Sequence, residues 1–163
     1  MRKIAGAVMA AGLFLALAQP VSPPPVKEGL WSVHMISVDN PGNRKTDFTS
    51  KLCRSHAYDE YAQSLAKNRP GCKMLHENLS GGVYSAESEC NVAGTVIRTS
   101  AKTTLQGDTA FHSESHATYT PAFHGTTEST IVIEQAYLGS CPAGVQPGDR
   151  IAQDGTVTHT WRH

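Results

Sequence analysis

The most constraining feature of this sequence is a long tract, from Lys73 to Leu138, in which polar and apolar residues alternate. Because successive side chains of a β-strand point to opposite faces of the sheet, this alternation predicts strands. The alternating segments are short and are separated by turn residues, as in Ser80-Gly81-Gly82 and Gly107-Asp108. Strands joined by tight turns, with no helices between them, predict an antiparallel meander and argue against a parallel Rossmann-type sheet.

Two further strands and one helix are predicted ahead of this tract. The segment "LWSVHMISV" alternates in the same way, and the turn "NPGN" allows "RKTDFTSKL" to return as the second strand of a hairpin. The segment "SHAYDEYAQSLAKN" then places apolar residues at helical spacing, with Ser55 as the N-cap and Pro70-Gly71 beyond its end. We therefore predict a helix from about Ser55 to Lys67, with its apolar stripe buried against the sheet.

The expected fold class is mainly β (α+β). It is an antiparallel meander of about seven or eight strands, curled into a half or open barrel, with one short helix packed on it. A barrel of this kind can either be filled by its own side chains or enclose a cavity, and the pattern of alternation alone does not separate these alternatives.

The amino-terminal segment "MRKIAGAVMAAGLFLALAQP" predicts a secretory signal peptide, because basic residues, an apolar run and a small-x-small site follow one another. Cleavage near Ala18 divides the chain into a signal peptide, residues 1–18, and a Pro-rich extended arm, residues 19–27. A single β-rich domain, residues 28–151, and a carboxyl-terminal tail or short edge strand, residues 152–163, follow. No other segment is apolar enough to span a bilayer, so we expect a soluble exported protein.

The charge of the chain does not point to a polyanionic partner. Basic and acidic residues number 14 each, and cleavage of the signal peptide removes Arg2 and Lys3. Because no basic stripe remains, neither nucleic acid nor anionic lipid is an expected partner.

Four cysteines follow the predicted cleavage point, and an even number in an exported chain predicts disulfides. Three pairings are possible. We favour Cys53 with Cys72, which would bracket the helix, and Cys90 with Cys141, which would tie two strand ends together. A structural zinc site is a poor alternative, because no C-x-x-C pair is present and the spacings are wide.

Several short motifs follow one another along the chain. They are "PPPVKEGLW" after the signal peptide, a cysteine on each side of the helix, "ESEC" at a strand end, a "GD" turn and a closing "YLGSCPAG". Together they resemble the bacterial exported family known as domain of unknown function 3617, from about Pro23 to Ile151. The resemblance implies a periplasmic protein built on a curved antiparallel sheet with the helix against it. It implies no reaction.

The segment "FHSESHATYT" contains the densest group of potential metal ligands. Strand alternation places His112, Glu114 and His116 on one face, and pairing with the next strand brings Glu134 opposite His112 and Glu128 near Thr118. The two histidines are about 13 Å apart along the strand, so a zinc or copper ion would need a glutamate between them. The alternative is a solvated polar strand face without a ligand. The candidate metal residues are His112, Glu114, His116 and Glu134.

A curved sheet with a helix against it can also enclose an apolar cavity. The aromatic candidates to line it, or to fill the core instead, are Trp31, Tyr84, Phe111, Phe123 and Tyr137. Neither a G-x-S-x-G elbow nor a complete H-E-x-x-H motif is present, so a hydrolase is only a third hypothesis.

The leading functional hypothesis is a periplasmic, non-catalytic envelope protein without a cofactor. Its partner would be a small apolar ligand or another periplasmic protein. The alternative hypothesis is periplasmic binding or buffering of zinc or copper through the His/Glu strand face.

Overall fold

The computed structural model describes residues 21–161. The predicted signal peptide, residues 1–18, and the first two residues of the predicted arm lie outside the described residues, as does the end of the predicted tail. The elements in chain order are β1 (Gly29–Asn40), β2 (Arg44–Arg54), α1 (His56–Lys67), β3 (Cys72–Ser80), β4 (Val83–Val92), β5 (Thr95–Gln106), β6 (Ala110–Phe123), β7 (Thr126–Gly139), β8 (Asp149–Ala152) and β9 (Val157–His159).

All nine described strands belong to one antiparallel sheet in the order β3-β4-β5-β6-β7-β1-β2-β8-β9. The strands from β3 to β7 form the predicted meander, and β7 then pairs with β1, so that the β1–β2 hairpin continues the sheet. The sheet is open, with β3 and β9 at its two edges. The prediction of a mainly β, antiparallel fold with one short helix is confirmed, and the described strands form a sheet that does not close into a barrel. The strand number is slightly higher than predicted because β8 and β9 form beyond the meander.

The register of the sheet gives it two different faces. The face that carries Trp31 and Phe111, here called the inner face, is the more apolar one. The opposite face, here called the outer face, carries the histidines of β1 and β6, which are His34, His112 and His116. In the pairing of β6 with β7, His112 lies opposite Glu134 and Thr118 lies opposite Glu128. This register is the predicted one, and it places Glu134 on the outer face with the histidines.

The core of the described domain centres on Trp31, which has no solvent-exposed surface. Its ring contacts Tyr137 edge-on and Phe111 at a tilt, with centroid distances of 6.0 and 6.1 Å. Its indole Nε1–H donates to the Lys27 carbonyl at 2.8 Å, so the one polar atom of the ring is satisfied. The buried apolar residues of the described chain are few: Val26, Trp31, Val33, Leu52 and Cys53.

The disulfides differ from the predicted pairing. Cys53 is bonded to Cys141 and Cys72 to Cys90, with Cα–Cα distances of 5.7 and 3.9 Å. The prediction of Cys53 with Cys72 and Cys90 with Cys141 was wrong because α1 is a crossover. It leaves β2 and leads to β3, and five strands lie between these two in the sheet. A 12-residue helix is about 18 Å long, so the cysteines at its two ends are kept apart.

The helix α1 has the predicted bounds, but its apolar stripe has a different partner from the one expected. The hydroxyl oxygen of the N-cap Ser55 accepts a hydrogen bond from the Tyr58 N–H at 3.2 Å. The rings of Tyr58 and Tyr61 contact Trp161, each at a centroid distance of 5.8 Å, and Leu65 is 55% exposed. No residue of the helix is buried. The apolar stripe of α1 therefore packs against Trp161 in the carboxyl-terminal segment. A polar side of the helix faces the sheet instead.

Among residues 21–161, no helix is long and apolar enough to cross a membrane.

Candidate functional site

A cavity of about 520 Å³ lies between the inner face of the sheet, the helix α1 and the Pro-rich arm. Its floor is formed by side chains of β4, β5 and β6: Tyr84, Thr103, Leu105 and Phe111. These residues share the inner face because Tyr84 pairs with Thr103 and Leu105 pairs with Phe111 across neighbouring strands. The same alternation that builds the meander therefore supplies a largely apolar floor with two hydroxyl groups, those of Tyr84 and Thr103.

The arm forms one wall of the cavity through Ser22 to Val26. The arm is held at two points by α1: the Val26 carbonyl lies 3.0 Å from His56 Nε2, and Lys67 Nζ donates to the Val21 carbonyl at 3.2 Å. Because Pro23, Pro24 and Pro25 have no N–H group, this wall offers rings and carbonyls but no backbone donor over that stretch.

The helix supplies a polar roof, which consists of His56, Asp59, Glu60 and Gln63. These positions are spaced by three or four residues and therefore share one side of α1. The His56 ring donates its Nε2–H to the Val26 carbonyl, which can only accept. This hydrogen bond fixes the proton on Nε2, so that nitrogen is not available as a base towards the cavity.

Arg54 connects the roof of the cavity to the core. Its Nε donates to Asp59 Oδ1 at 2.9 Å and its Nη1 donates to Gln135 Oε1 at 3.1 Å. The guanidinium lies over the rings of Trp31 and Phe111, at 5.0 and 5.4 Å from their centroids. Charge-assisted hydrogen bonds and cation–π contacts of this kind hold the planar group in one orientation. Arg54 thereby fixes the position of α1 over the sheet.

Tyr84 closes the floor on the side of β3. Its hydroxyl donates to Glu77 Oε1 at 2.5 Å, and Lys67 Nζ lies 3.4 Å from the same carboxylate oxygen. Burial and the neighbouring Glu77 carboxylate together raise the pKa of Tyr84 far above its usual value. The phenol therefore stays protonated and serves as a hydrogen-bond donor rather than a base.

The five aromatic candidates are distributed between the cavity and other places. Tyr84 and Phe111 line the cavity. Trp31 is buried beneath it, and Tyr137 packs against Trp31 with Lys27 Nζ 4.7 Å above its own ring. Phe123 lies at the far end of β6, where it stacks on Tyr119 at 6.4 Å. The sequence-based set thus combines two cavity residues with three that pack elsewhere.

The outer face carries a row of alternating acids and histidines across β2, β1, β7 and β6. His34 Nε2 lies 2.9 Å from Asp47 Oδ1, and its Nδ1 lies 4.0 Å from Glu134 Oε2. His112 Nδ1 lies 3.5 Å from Glu134 Oε1, and its Nε2 lies 3.0 Å from Glu114 Oε1. The hydrogen bond to Glu114, followed by the interaction with Glu134, raises the pKa of His112.

The candidate metal residues share the outer face without forming one group. His116 belongs to a separate pair, with its Nε2 3.9 Å from Glu128 Oε2. Within the described part of the chain, no three His, Cys, Asp or Glu side chains are arranged so that they could hold one metal ion. The arrangement favours the alternative reading of a solvated, charge-paired strand face.

Sequence reasoning missed Arg54, Asp59 and His34. Arg54 and Asp59 are five residues apart, on either side of the Ser55 N-cap, and they form an ion pair. The sequence signal for this pair was an arginine at the end of a strand followed by an acidic residue in the first turn of a helix. His34 was recognisable only as a polar position of an alternating strand. Its contact with Glu134 depends on the pairing of β1 with β7, which is distant in sequence.

Comparison with known proteins gives one result on the family and none on activity. A family model described as "Protein of unknown function (DUF3617)" matches residues 26–141, which includes β1 to β7 and all four cysteines. No curated protein matches the chain.

Proposed function

We propose, from the premise that this chain belongs to the DUF3617 family of proteins of unknown function, that it is an exported, non-catalytic protein that binds a small apolar ligand. The observation that carries this proposal is the cavity of about 520 Å³ under α1, because its floor and one wall are apolar. Small-molecule sites in proteins commonly have volumes of about 300 to 1,000 Å³ and are lined by apolar side chains with a few polar groups.

The volume sets a limit on the ligand. At about 30 Å³ for each water-sized group, the cavity holds roughly 17 such groups. A ligand with about ten to seventeen non-hydrogen atoms fits this space, whereas a two-chain phospholipid does not. The rings of Tyr84 and Phe111 and the side chain of Leu105 provide the contact surface for its apolar part.

The proposed location is the periplasm, after removal of residues 1–18 near Ala18. Two disulfides that use all four cysteines support an oxidising compartment. In the mature chain, the arm of residues 19–27 leads into the β-rich domain of residues 28–151, and residues 152–163 form a tail or edge strand. Sequencing of the mature amino terminus and fractionation of the cells test the cleavage point and the compartment directly.

Ligand binding is tested by filling the cavity from its floor. Thr103 and Thr104 are neighbours on β5, but Thr103 lines the cavity whereas Thr104 pairs with His112 on the outer face. In Thr103→Trp, the indole occupies the site and should weaken binding of the uncharged fluorescent probe N-phenyl-1-naphthylamine at least ten-fold. Thr104→Trp is the matched control and should leave the affinity unchanged. Equal affinities in both variants would overturn the proposal.

Native mass spectrometry of protein purified without detergent provides an independent measurement. A ligand of about 150 to 250 Da should remain bound to the unsubstituted protein and be absent from Thr103→Trp, given the limit set by the cavity volume. Thermal unfolding of both variants establishes that any loss of ligand reflects the filled cavity rather than an unfolded domain.

A further inference from the structure

The cavity is apolar on its sheet side and polar on its helix side, and this division limits the chemistry of the ligand. The floor offers Leu105, Phe111 and the ring of Tyr84, whereas the roof offers the side chains of α1. A wholly apolar ligand would remove water from the polar roof without replacing its hydrogen bonds, which is unfavourable. The ligand therefore needs a polar group at the end of the cavity where Arg54 meets α1.

The guanidinium of Arg54 has a donor that the protein does not use. Nε is bonded to Asp59 and Nη1 to Gln135, whereas Nη2 donates to no residue between 21 and 161. Arg54 lines the cavity, and its side chain is only 14% exposed, as is that of Asp59. A guanidinium has five N–H donors and no acceptor, so the complementary group on a ligand is an oxygen that accepts.

The charges around the cavity determine which oxygen is suitable. Among the described residues that line the cavity, Arg54 is the one permanently charged cation, and it already neutralises Asp59, while Glu60 adds a second carboxylate at the roof. The His56 ring is engaged with a carbonyl through Nε2. A ligand carboxylate would share a guanidinium that Asp59 already neutralises, in a cavity that Glu60 also lines, and these like charges repel. An uncharged carbonyl or ester oxygen accepts the same hydrogen bond without that repulsion.

We infer that the ligand is an uncharged amphiphile, with an apolar chain against Leu105 and Phe111 and a carbonyl or ester oxygen that accepts from Arg54 Nη2. This inference rests on the proposed function. In this arrangement Arg54 recognises the head group of the ligand. Asp59 disfavours anionic ligands, because its carboxylate already contacts the same guanidinium. The cavity therefore discriminates against free fatty acids and in favour of their neutral esters.

The inference is tested with three probes that share one chain length: methyl octanoate, octanoate and octylammonium. Calorimetric or fluorescence titration of the mature protein should give the tightest binding for methyl octanoate. Octanoate should bind at least ten-fold more weakly because of its charge. Octylammonium should also bind at least ten-fold more weakly, because it can donate but has no oxygen to accept from Arg54.

The substitution Asp59→Asn tests the role given to charge. Asparagine retains an oxygen that accepts from Arg54 Nε, so α1 keeps its anchor while the guanidinium loses its neutralising partner. The preference for methyl octanoate over octanoate should fall at least ten-fold in this variant. Glu87→Gln makes the same change of charge at an exposed position on the outer face of β4, away from the cavity, and should leave the preference unchanged.

The outcomes separate the inference from the proposed function. If none of the three probes binds and N-phenyl-1-naphthylamine does not bind either, the proposed function is wrong. If the neutral fluorescent probe binds but octanoate equals or exceeds methyl octanoate, the proposed function stands and the inference is overturned. An unchanged preference in Asp59→Asn, or an equal change in Glu87→Gln, also overturns it.

Discussion

The guanidinium of Arg54 lies 5.0 Å from the centroid of the Trp31 ring, and this contact joins the core of the domain to its cavity. Trp31 has no exposed surface, so the cation rests on the most completely buried side chain of the described domain. The same guanidinium reaches Asp59 on α1 and Gln135 on β7. Because no residue of the helix is itself buried, these polar contacts hold the roof of the cavity in place of an apolar interface.

The first prediction concerns the stability that Arg54 provides. Arg54→Met keeps an unbranched side chain over Trp31 but removes two charge-assisted hydrogen bonds and leaves Asp59 unpaired. The free energy of unfolding should fall by about 1 to 3 kcal/mol, measured by urea denaturation followed by tryptophan fluorescence. Adding Asp59→Asn to Arg54→Met should recover part of the loss, because the unpaired carboxylate is then removed.

An exposed ion pair provides the control for this substitution. Arg98 Nε lies 2.9 Å from Glu89 Oε2, but the Arg98 side chain is 69% exposed. Arg98→Met should therefore change the stability little, since solvent screens such pairs. Losses of equal size in Arg54→Met and Arg98→Met would show that Arg54 has no special role in holding α1.

The second prediction compares the two disulfides. The Cys53–Cys141 bond closes a loop with a sequence separation of 88, whereas the Cys72–Cys90 separation is 18. In the loop-entropy description these values correspond to about 4.6 and 3.2 kcal/mol. Replacing Cys53 and Cys141 by serine should therefore destabilise the domain by about 1 kcal/mol more than replacing Cys72 and Cys90. Denaturant unfolding of the two double variants measures the difference, and the reverse order would contradict the loop-length explanation.

The parts of the fold that could be predicted from the sequence are those governed by a local period. Strand alternation leaves only two choices for each side chain, so placing Ile131, Ile133 and Tyr137 on the inner face put Glu134 and Glu128 on the outer face, where they lie opposite His112 and Thr118. The bounds of α1 followed from the Ser55 N-cap and from the residues beyond its end. No knowledge of distant contacts was needed for these features.

The parts that could not be predicted depend on the order of the strands. The disulfide pairing requires the knowledge that α1 crosses from β2 to β3 at the edge of the sheet, and nothing near Cys53 or Cys72 specifies that destination. The partner of the Tyr58 and Tyr61 rings is Trp161, about 100 residues further along the chain. Because this distant residue takes the apolar side of the helix, the polar side lines the cavity, which a helical pattern alone does not reveal.

The third prediction concerns the outer face. Glu114 and then Glu134 raise the pKa of His112. A pH titration followed by NMR should therefore give this imidazole a pKa above the usual 6.5. Because the folded pKa is the higher one, the contribution of His112 to stability is complete below the unfolded pKa and is lost as the pH rises through the folded pKa. Glu114→Gln should lower the pKa of His112. Glu128→Gln removes a carboxylate beside His116 and is the control that should leave it unchanged.

The fourth prediction concerns the bulge at which β1 meets β7. Gly29 precedes Leu30, the cross-strand partner of Gly139, and the two glycines have nearly equal positive φ values, +136° and +140°. A Cβ atom added to Gly29 would lie 2.3 Å from the Gly139 carbonyl oxygen and 2.9 Å from the Tyr137 ring, whereas one added to Gly139 meets nothing within 4 Å. Both alanine substitutions should carry the backbone strain of this region, about 1 to 3 kcal/mol.

Only Gly29→Ala should also displace Tyr137, which packs against Trp31. Thermal unfolding should therefore give a lower midpoint for Gly29→Ala than for Gly139→Ala, and the near-ultraviolet circular dichroism of the aromatic residues should change in Gly29→Ala alone. Because the two positions have nearly equal φ values, the difference between them separates the steric clash from the strain at positive φ. Equal midpoints and equal spectra would mean that the bulge adjusts freely and does not position Trp31 and Tyr137 beneath the cavity.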